Sequence, residues 1–350
     1  MFCLPCPTAL AQMCSHSTRV SPFVQKPPRC YNSGTSEGWA GTMKARLIYN
    51  PRAGQRDLTQ DILAAKDYLA AHGWFVDWFV ENDPHRITEL SREAAQAGYD
   101  VVIASGGDGT ISRVVNGLAR TETALGVLPA GTGNAWAQEM GIPVSKVFTR
   151  RALLEAADVL LRGEIRTVDL GRAGEDYFLM WAGVGFDARV TEVVSWELRR
   201  HIGNLATWIT GFQVAPDYAG TPATITVDGK TYRSQFILTV IGNAQSYAGS
   251  VRMTPIARMD DGLLDVCVFK GKGFADTLKH LVNVLSQTHM ISPDVEYYQG
   301  ERIHIEADEP LPVHLDGDAM GYTPMDFGVA PKSLRVILPQ NAPERLFISQ

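Results

Sequence analysis

The sequence predicts an α/β chain in two parts: a parallel sheet covered by helices, then a largely antiparallel sheet. Strand-like and helix-like segments alternate from Met43 to about Thr167, a pattern typical of parallel sheets with helices on both faces. After about Asp169, short strand-like segments separated by turn residues dominate, which favours antiparallel pairing. The 350 residues suffice for two domains of ordinary size.

Hydrophobic periodicity predicts each element of the first part. Short apolar runs predict strands at 44–50, 74–80, 100–105 and 124–129. Apolar residues that recur every three or four positions predict helices at 58–73, 87–98 and 111–120, with a further helix opening after Asn134.

The second part is predicted as short strands interrupted by two helices. Its strand-like segments are rich in β-branched and aromatic residues and are bounded by turn signals such as Asp228-Gly229. They lie at 177–185, 223–234, 236–246, 263–271, 301–307, 311–318 and 334–339. Helical periodicity covers 188–215 and 274–289.

The first 42 residues differ from the rest, because they are rich in Pro, Ser, Thr and Cys and show no sustained period. We expect a disordered extension there, or translation that begins at Met43; a targeting role is the alternative. The remainder is expected to divide into a first domain at 43–168, a second at 169–339 and a tail at 340–350 that could pack back on the first domain.

Charge and cysteine usage narrow the class of protein. The formal net charge of −6 and the pI of about 5.8 disfavour a general nucleic-acid binder, which needs a basic face. Only Cys267 lies beyond the first thirty residues, so the body lacks an internal disulfide framework. That usage suits a reducing, cytoplasmic compartment.

The stretch Gly106-Gly107-Asp108-Gly109-Thr110 stands between an apolar strand and a helix. Glycine lets the backbone approach a ligand, and amides of the loop and first helical turn attract an anion. The spacing is neither a P-loop nor a G-x-G-x-x-G fingerprint. Asp108 is either a helix cap or a ligand of a divalent cation that bridges the carboxylate and a phosphate.

Two more loops repeat this arrangement at neighbouring strand ends. Gly131-Thr132-Gly133-Asn134 follows the strand at 124–129, and a turn at 50–56 follows the first strand. Ligands of open parallel sheets bind at the carboxyl ends of strands. The loops therefore predict a nucleotide held from several sides.

The ordered set of motifs resembles the diacylglycerol kinase catalytic-domain superfamily, which includes bacterial lipid kinases, diacylglycerol kinases and sphingosine kinases. No single motif is specific, but the set follows the order of the family from Met43 to about Pro339. The matching motifs are Asn50-Pro51-x-x-Gly54, Gly106-Gly107-Asp108-Gly109-Thr110, Leu128-Pro129-x-Gly131-Thr132-x-Asn134, Asp169 in RTVDLG, Gly183-x-Gly185-Phe186-Asp187-Ala188, MDDGLLDV at 259–266 and LDGD at 315–318.

The resemblance implies an ATP-dependent lipid kinase with a Rossmann-like nucleotide-binding domain, an antiparallel β-sandwich domain and an active site in the cleft between them. It further implies that ATP contacts residues of the first and second glycine loops and of the turn at 50–56. These residues are Asn50, Gly106, Gly107, Asp108, Gly109, Thr110, Ile111, Ser112, Gly131, Thr132 and Asn134.

The resemblance also assigns the catalytic and metal-binding groups. Asp108 and Asp169 would organise the catalytic Mg²⁺, and the Asp261 side chain would hold a structural Mg²⁺ with the carbonyls of Leu263 and Arg258. Asp318 stands where many relatives have a Glu that deprotonates the lipid hydroxyl. A carboxylate within hydrogen-bond reach suffices for that step, although Asp is one methylene shorter.

A lipid acceptor would require contact with a membrane. The segment 201–215 offers an apolar helix face with Trp208 and Phe212, which could line an acyl pocket, lie at a membrane interface or simply face the core. We therefore expect a cytoplasmic protein with peripheral membrane contact. An edge of the second sheet could pair with another copy to form a homodimer.

Two alternatives stay open at this point. A small-molecule kinase related to NAD kinase or phosphofructokinase also uses a G-G-D-G loop. A nucleotide-binding protein with little kinase activity is favoured by Ala135, which stands where many relatives have Asp, and by the shorter Asp318. The sequence does not choose among diacylglycerol, phosphatidylglycerol, a sphingoid base and other lipid alcohols.

Overall fold

The computed structural model describes residues 42–145, 147, 149–194, 210–211, 213–247 and 251–348. Its first four strands form a parallel sheet in the order β2-β1-β3-β4. Both faces of β1, β3 and β4 are buried, which explains their continuous apolar sequences. The strands are β1 (Lys44–Tyr49), β2 (Phe75–Val80), β3 (Val101–Gly106) and β4 (Ala124–Pro129).

Five helices cover this sheet, with α1 packed on α5 and α2 packed on α3. They are α1 (Thr59–Ala71), α2 (Pro84–Gln96), α3 (Asp108–Leu118), α4 (Ala135–Glu139) and α5 (Thr149–Arg162). Helix α2 begins where Asp83 accepts the Arg86 N–H and Pro84 takes the first helical position. The predicted alternation of strand and helix is confirmed, whereas α5 was not among the predicted helices.

The second half is a β-sandwich-like arrangement whose described strands pair with one another only in the antiparallel sense. Its strands are β5 (Glu164–Ala173), β6 (Asp176–Phe178), β7 (Trp181–Gly185), β8 (Thr221–Val227), β9 (Lys230–Gly242), β10 (Ser246–Tyr247), β11 (Val251–Arg252), β12 (Leu264–Lys270), β13 (Val295–Gly300), β14 (Arg302–Ala307), β15 (Pro312–Leu315), β16 (Asp318–Tyr322) and β17 (Met325–Leu338). Asp228 and Gly229 adopt φ of 45° and 82° and close the predicted hairpin between β8 and β9.

Two longer helices belong to this half, α6 (Phe186–Val193) and α7 (Phe274–Leu285). Helix α7 confirms the helix predicted from residue 274. Most of the predicted helix at 188–215, including Trp208 and Phe212, lies outside the described residues. No helix in the described part of the chain is long and apolar enough to cross a membrane.

Strands β5 and β17 run through both halves. The end of β17 pairs in parallel with β4 at Arg335 and Val336, while its beginning pairs with β14. Strand β5 accompanies β17 along most of its length. The predicted boundary between residues 168 and 169 therefore falls inside β5, and the two halves share a continuous sheet.

The tail after β17 returns to the junction of the halves. Ala342, Leu346 and Phe347 are buried, and the Met259 N–H donates to the Leu346 carbonyl over 2.8 Å. Arg345 reaches both Glu139 of α4 and Gln245 of the second half. The tail thus contacts both halves.

Candidate active site

The three loops at the carboxyl ends of β1, β3 and β4 meet through their backbones. A Cβ atom on Gly131 would lie 2.3 Å from the Gly107 Cα, and one on Gly54 would lie 2.6 Å from the Ala130 carbonyl oxygen. Such distances exclude any side chain. Glycine is therefore required because the loops touch each other, in addition to any ligand they hold.

Two asparagines fix the shapes of these loops. Asn50 donates from Nδ2 to Thr110 Oγ1 over 3.1 Å, and its Oδ1 accepts the Arg52 N–H over 3.0 Å. Asn134 adopts φ of 55° and bonds both the N–H and the carbonyl of Gly131. Asn50, Thr110 and Asn134 thus hold the predicted nucleotide loops in place.

A cleft of about 290 Å³ lies between the turn at 50–56 and the loop that contains Gly131. Of the residues predicted to bind nucleotide, Gly131, Thr132 and Asn134 line it. Sequence reasoning did not single out three other lining residues, Val144, Ser145 and Thr149, because ordinary residues outside a motif carry no local signal.

The other predicted nucleotide residues lie in or beside α3. Gly106 ends β3 and Gly107 is the N-cap of α3, and a Cβ on Gly106 would clash with the Thr110 side chain. Gly109 lies in the first turn of α3, where a Cβ would meet no atom within 4 Å. Ile111 and Ser112 are almost fully buried.

Asp108 links α3 to α4. It is the first residue of α3, and its Oδ1 accepts the Trp136 N–H at the start of α4 over 3.0 Å. Burial raises its pKa, against the lowering effect of the backbone N–H bonds. No Lys, Arg or His among the described residues forms an ion pair with it. A partly buried carboxylate that pairs with none of these cationic side chains fits the predicted metal cation, and Asp108 also caps the neighbouring helix.

Asp169 and Asp261 lie together at the turn 258–263. Asp169 is fully buried; its oxygens accept the Lys332 and Gly262 N–H groups over 2.6 and 2.7 Å. Burial raises the pKa of both carboxyls, and repulsion among Asp169, Asp260 and Asp261 raises them further. This excess of negative charge fits a divalent cation.

The predicted structural metal site uses one carboxylate, Asp261, with the carbonyls of Leu263 and Arg258. The Asp261 Oδ1 accepts the Leu263 N–H over 3.0 Å and so shapes the turn. In the described ranges no three or more His, Cys, Asp or Glu side chains converge as metal ligands. Asp169 and Asp108 are each anchored by separate backbone amides, and their joint action on one cation stays a prediction.

Asp318 is joined directly to the nucleotide half. Its Oδ2 accepts Arg113 Nη2 over 2.6 Å, and Arg113 lies on α3, the helix that begins in the glycine loop. The Asp318 side chain is 41% exposed, so a substrate can reach it.

Asp316, two residues earlier, has a different environment. It adopts φ of 47° and accepts the N–H groups of Leu179, Met180 and Trp181 over 2.7 to 3.1 Å. Burial raises its pKa to about 6, although those bonds lower it and nearby Asp318 raises it. Asp316 therefore shapes the turn, while Asp318 is the accessible carboxylate.

Sequence reasoning missed a buried histidine–aspartate pair beside this turn. His314 Nδ1 accepts the Gly317 N–H over 3.2 Å, so we assign the ring proton to Nε2, which then donates to Asp187 Oδ2 over 2.9 Å. The two side chains are 1% and 7% exposed. Asp187 occurs in the quoted motif G-x-G-F-D-A and His314 stands immediately before the motif L-D-G-D, but nothing local indicates that they meet.

Asp187 also borders an apolar cavity of about 100 Å³ between α6, α7 and β9. Its walls include Phe186, Val190, Ile237, Phe269 and Leu281. Gly211 and Ala215, two described residues of the predicted segment 201–215, also line it. The cavity thus connects through Asp187 and His314 to the turn that carries Asp318.

Two family models match the chain in sequence order. The diacylglycerol kinase catalytic domain matches residues 44–173, and the YegS C-terminal NAD kinase beta sandwich-like domain matches residues 181–338. Among curated relatives, a diacylglycerol kinase from Bacillus subtilis is 29% identical over 305 residues, covering 87% of this chain and 99% of the relative. One from Staphylococcus carnosus is 27% identical over 310 residues, covering 88% and 99%.

Solved structures show the same fold. A Bacillus anthracis protein assigned as a diacylglycerol kinase superposes with a TM-score of 0.74 at 25% identity, covering 88% of this chain and 99% of the other. A second structure from that organism gives 0.71 at 26% identity, covering 84% and 97%. The two family matches together span most of the chain, and the relatives align over nearly their whole length; the chain is therefore a lipid kinase that belongs to the diacylglycerol kinase catalytic-domain superfamily.

Proposed function

We propose that this lipid kinase transfers the γ-phosphate of ATP, with Mg²⁺, to the free hydroxyl of diacylglycerol. One observation carries the proposal. Asp318 lies between Arg113, on the helix that leaves the glycine loop, and the His314–Asp187 pair at the apolar cavity. We infer that a carboxylate at this position would reach both a bound nucleotide and a bound lipid.

In this proposal the chain's own groups position the reactants and move one proton. When bound, ATP would supply the phosphoryl group, and Mg²⁺ would neutralise the negative charge of the phosphates. Glycine-loop amides hold the phosphates, and Asp318 accepts the proton of the lipid hydroxyl. Arg113 bonds Asp318 through Oδ2, which leaves Oδ1 to face the hydroxyl.

The polar end of the cavity supports a neutral head group. Asp187 already accepts three bonds, from His314, Tyr247 and the Ala188 N–H. Its acceptor capacity is largely used, so it offers little to the ammonium of a sphingoid base. The relatives named above are diacylglycerol kinases. We therefore favour diacylglycerol over a sphingoid base.

The proposed substrate resides in a bilayer, so we also propose a cytoplasmic enzyme that contacts membranes peripherally. The homodimer through a sheet edge stays a prediction.

The proposal is tested with purified chain, radiolabelled ATP, Mg²⁺ and a total lipid extract. We expect labelled phosphatidic acid, and Asp318→Asn should lower the rate about 100-fold or more while ATP binding is retained. Asp326→Asn is the matched control, because Asp326 is 86% exposed in the same half and pairs with the exposed His304.

Three outcomes would contradict the proposal. A full rate for Asp318→Asn would remove the assigned base. Label in NADP when NAD is added, with none in lipid, would indicate a small-molecule kinase. ATP binding by the unaltered chain without transfer to any lipid would indicate a nucleotide-binding protein.

A further inference from the structure

Helix α7 and the turn after it present an exposed apolar stripe. Six large apolar side chains there are between 37% and 85% exposed. Four of them follow helical spacings of four, four and three residues, so they share one face of α7. The outer stripe consists of Phe274, Leu278, Val282, Leu285, Met290 and Ile291. An exposed apolar surface of this kind marks an interaction site.

The adjacent face of the same helix lines the apolar cavity. Thr277, Leu281 and Val284 form part of the cavity wall. Phe274 and Leu278 belong to both surfaces, because they line the cavity and are 45% and 40% exposed. The outer stripe is therefore continuous with the rim of the cavity.

The size of the cavity indicates what covers the stripe. At about 100 Å³ it is smaller than the ~150 Å³ cavity that takes up one benzene molecule. A complete acyl chain cannot enter it. Most of the hydrocarbon of a lipid substrate must therefore stay outside, next to the rim, where the outer stripe lies.

The charges around α7 permit contact with a lipid surface. The chain carries a net charge of −6, yet the carboxylates near the stripe are engaged. Asp294 pairs with Lys279, Glu296 pairs with Lys270, and Asp276 accepts the Lys272 N–H. Helix α7 is amphipathic, as are helices that lie in a membrane interface, and two of the three carboxylates near its stripe are paired with lysines.

We propose that the outer stripe docks on a lipid bilayer, with α7 lying in the plane of the interface and the cavity opening toward the acyl chains. The inference rests on the proposed function, because it assigns the route by which a membrane lipid reaches Asp318. Only the head group and the first carbons of the substrate would leave the bilayer.

The test uses the full chain and vesicles of phosphatidylethanolamine and phosphatidylglycerol, with and without diacylglycerol. The variant Val282→Glu/Leu285→Glu places charges on two stripe residues that are 56% and 55% exposed and do not line the cavity. Phe75→Glu/Val80→Glu is the matched control, because those side chains are 54% and 51% exposed on edge strand β2. Thermal melting establishes that both variants fold.

We expect the stripe variant to bind vesicles at least about tenfold more weakly and the control to bind like the unaltered chain. Phosphorylation of vesicle diacylglycerol should fall in parallel, whereas the rate on a water-soluble short-chain diacylglycerol should not change. Equal vesicle binding by both variants would overturn the proposal. So would a dimer of the unaltered chain that the stripe variant dissociates, because a second copy would then cover the stripe. Vesicle binding needs no catalysis. The binding measurement therefore tests the docking proposal even if the chain does not phosphorylate diacylglycerol.

Discussion

The two halves of the molecule build their parts of the candidate site in different ways. In the first half, short loops at strand ends meet backbone to backbone, as at Gly107 and Gly131. In the second half, side chains separated by as many as 127 residues meet in the interior, as do Asp187 and His314. Backbone amides suffice to hold an anion, whereas orienting a lipid hydroxyl needs particular side chains. The first kind of site is local in sequence and the second is not.

The largest effect should come from filling the contact between the glycine loops. Gly131→Ala forces a Cβ to within 2.3 Å of the Gly107 Cα, so the loops must separate. We expect the free energy of unfolding to fall by about 3 kcal/mol and ATP affinity to fall with it, as urea denaturation and calorimetry would measure. Gly109→Ala, where a Cβ meets nothing within 4 Å, should stay within about 0.5 kcal/mol. Equal effects of Gly131→Ala and Gly109→Ala would contradict the comparison, because they would show that contact between the loop backbones does not shape the site in the first half.

The side-chain site should respond in its kinetics more than in its stability. His314→Gln can still reach Asp187 but loses the acceptor for the Gly317 N–H, and His314→Asn does the reverse. Misplacement of Asp318 should lower kcat about tenfold to a hundredfold in both variants, with the KM for ATP unchanged. His304→Gln, a change of an exposed histidine that pairs with Asp326, is the control. A fall in melting temperature with an unchanged kcat would make His314 merely structural.

The same contrast explains which features sequence reasoning could predict. The parallel half could be predicted because β1, β3 and β4 are buried on both faces. Each of these strands is therefore a continuous apolar run that is visible in the local sequence. Helix α5 also carries a helical pattern in Ala152, Leu153, Ala156, Ala157 and Leu160 and could have been predicted. The pairing of β17 with β4 could not, since it joins residues more than two hundred positions apart.

The candidate site likewise has features that the sequence predicts and features that it does not. The glycine loops could be predicted from the sequence, because few other residues fit their backbone. The Arg113–Asp318 ion pair spans 205 positions, and an arginine within a helix is ordinarily a solvated side chain. Asp108 was predicted as a helix cap or a cation ligand, but that it caps α4 rather than its own helix follows only from the packing of two loops.

Asp316 tests the comparison through pH, because this partly buried carboxylate belongs to the second half, where side chains build the site. Its pKa of about 6 lies above the ordinary value, so the folded chain binds this proton more tightly than the unfolded chain. The stability contributed by this group is therefore complete below about pH 4 and is lost as the pH rises through about 6. Urea denaturation should show the stability of the unaltered chain falling relative to Asp316→Asn by about 2 kcal/mol between about pH 4 and about pH 7. If the difference in stability between the unaltered chain and Asp316→Asn did not change with pH, the three N–H bonds would offset the effect of burial on the Asp316 pKa.

The smallest expected effect is on a residue of the tail, and it tests whether the two halves stabilise each other. Arg345 pairs with the fully buried Glu139 of α4 over 3.3 Å and also bonds Gln245, so it links the two halves. Arg345→Ala leaves a buried charge, and we expect a loss of about 1 kcal/mol. Arg233→Ala, which removes an exposed ion pair with Asp308, should cost less. In a Glu139→Gln background the loss should shrink, because no unpaired charge remains. A full loss in that background would instead assign the effect to packing, and α4 would then hold its position without help from the second half.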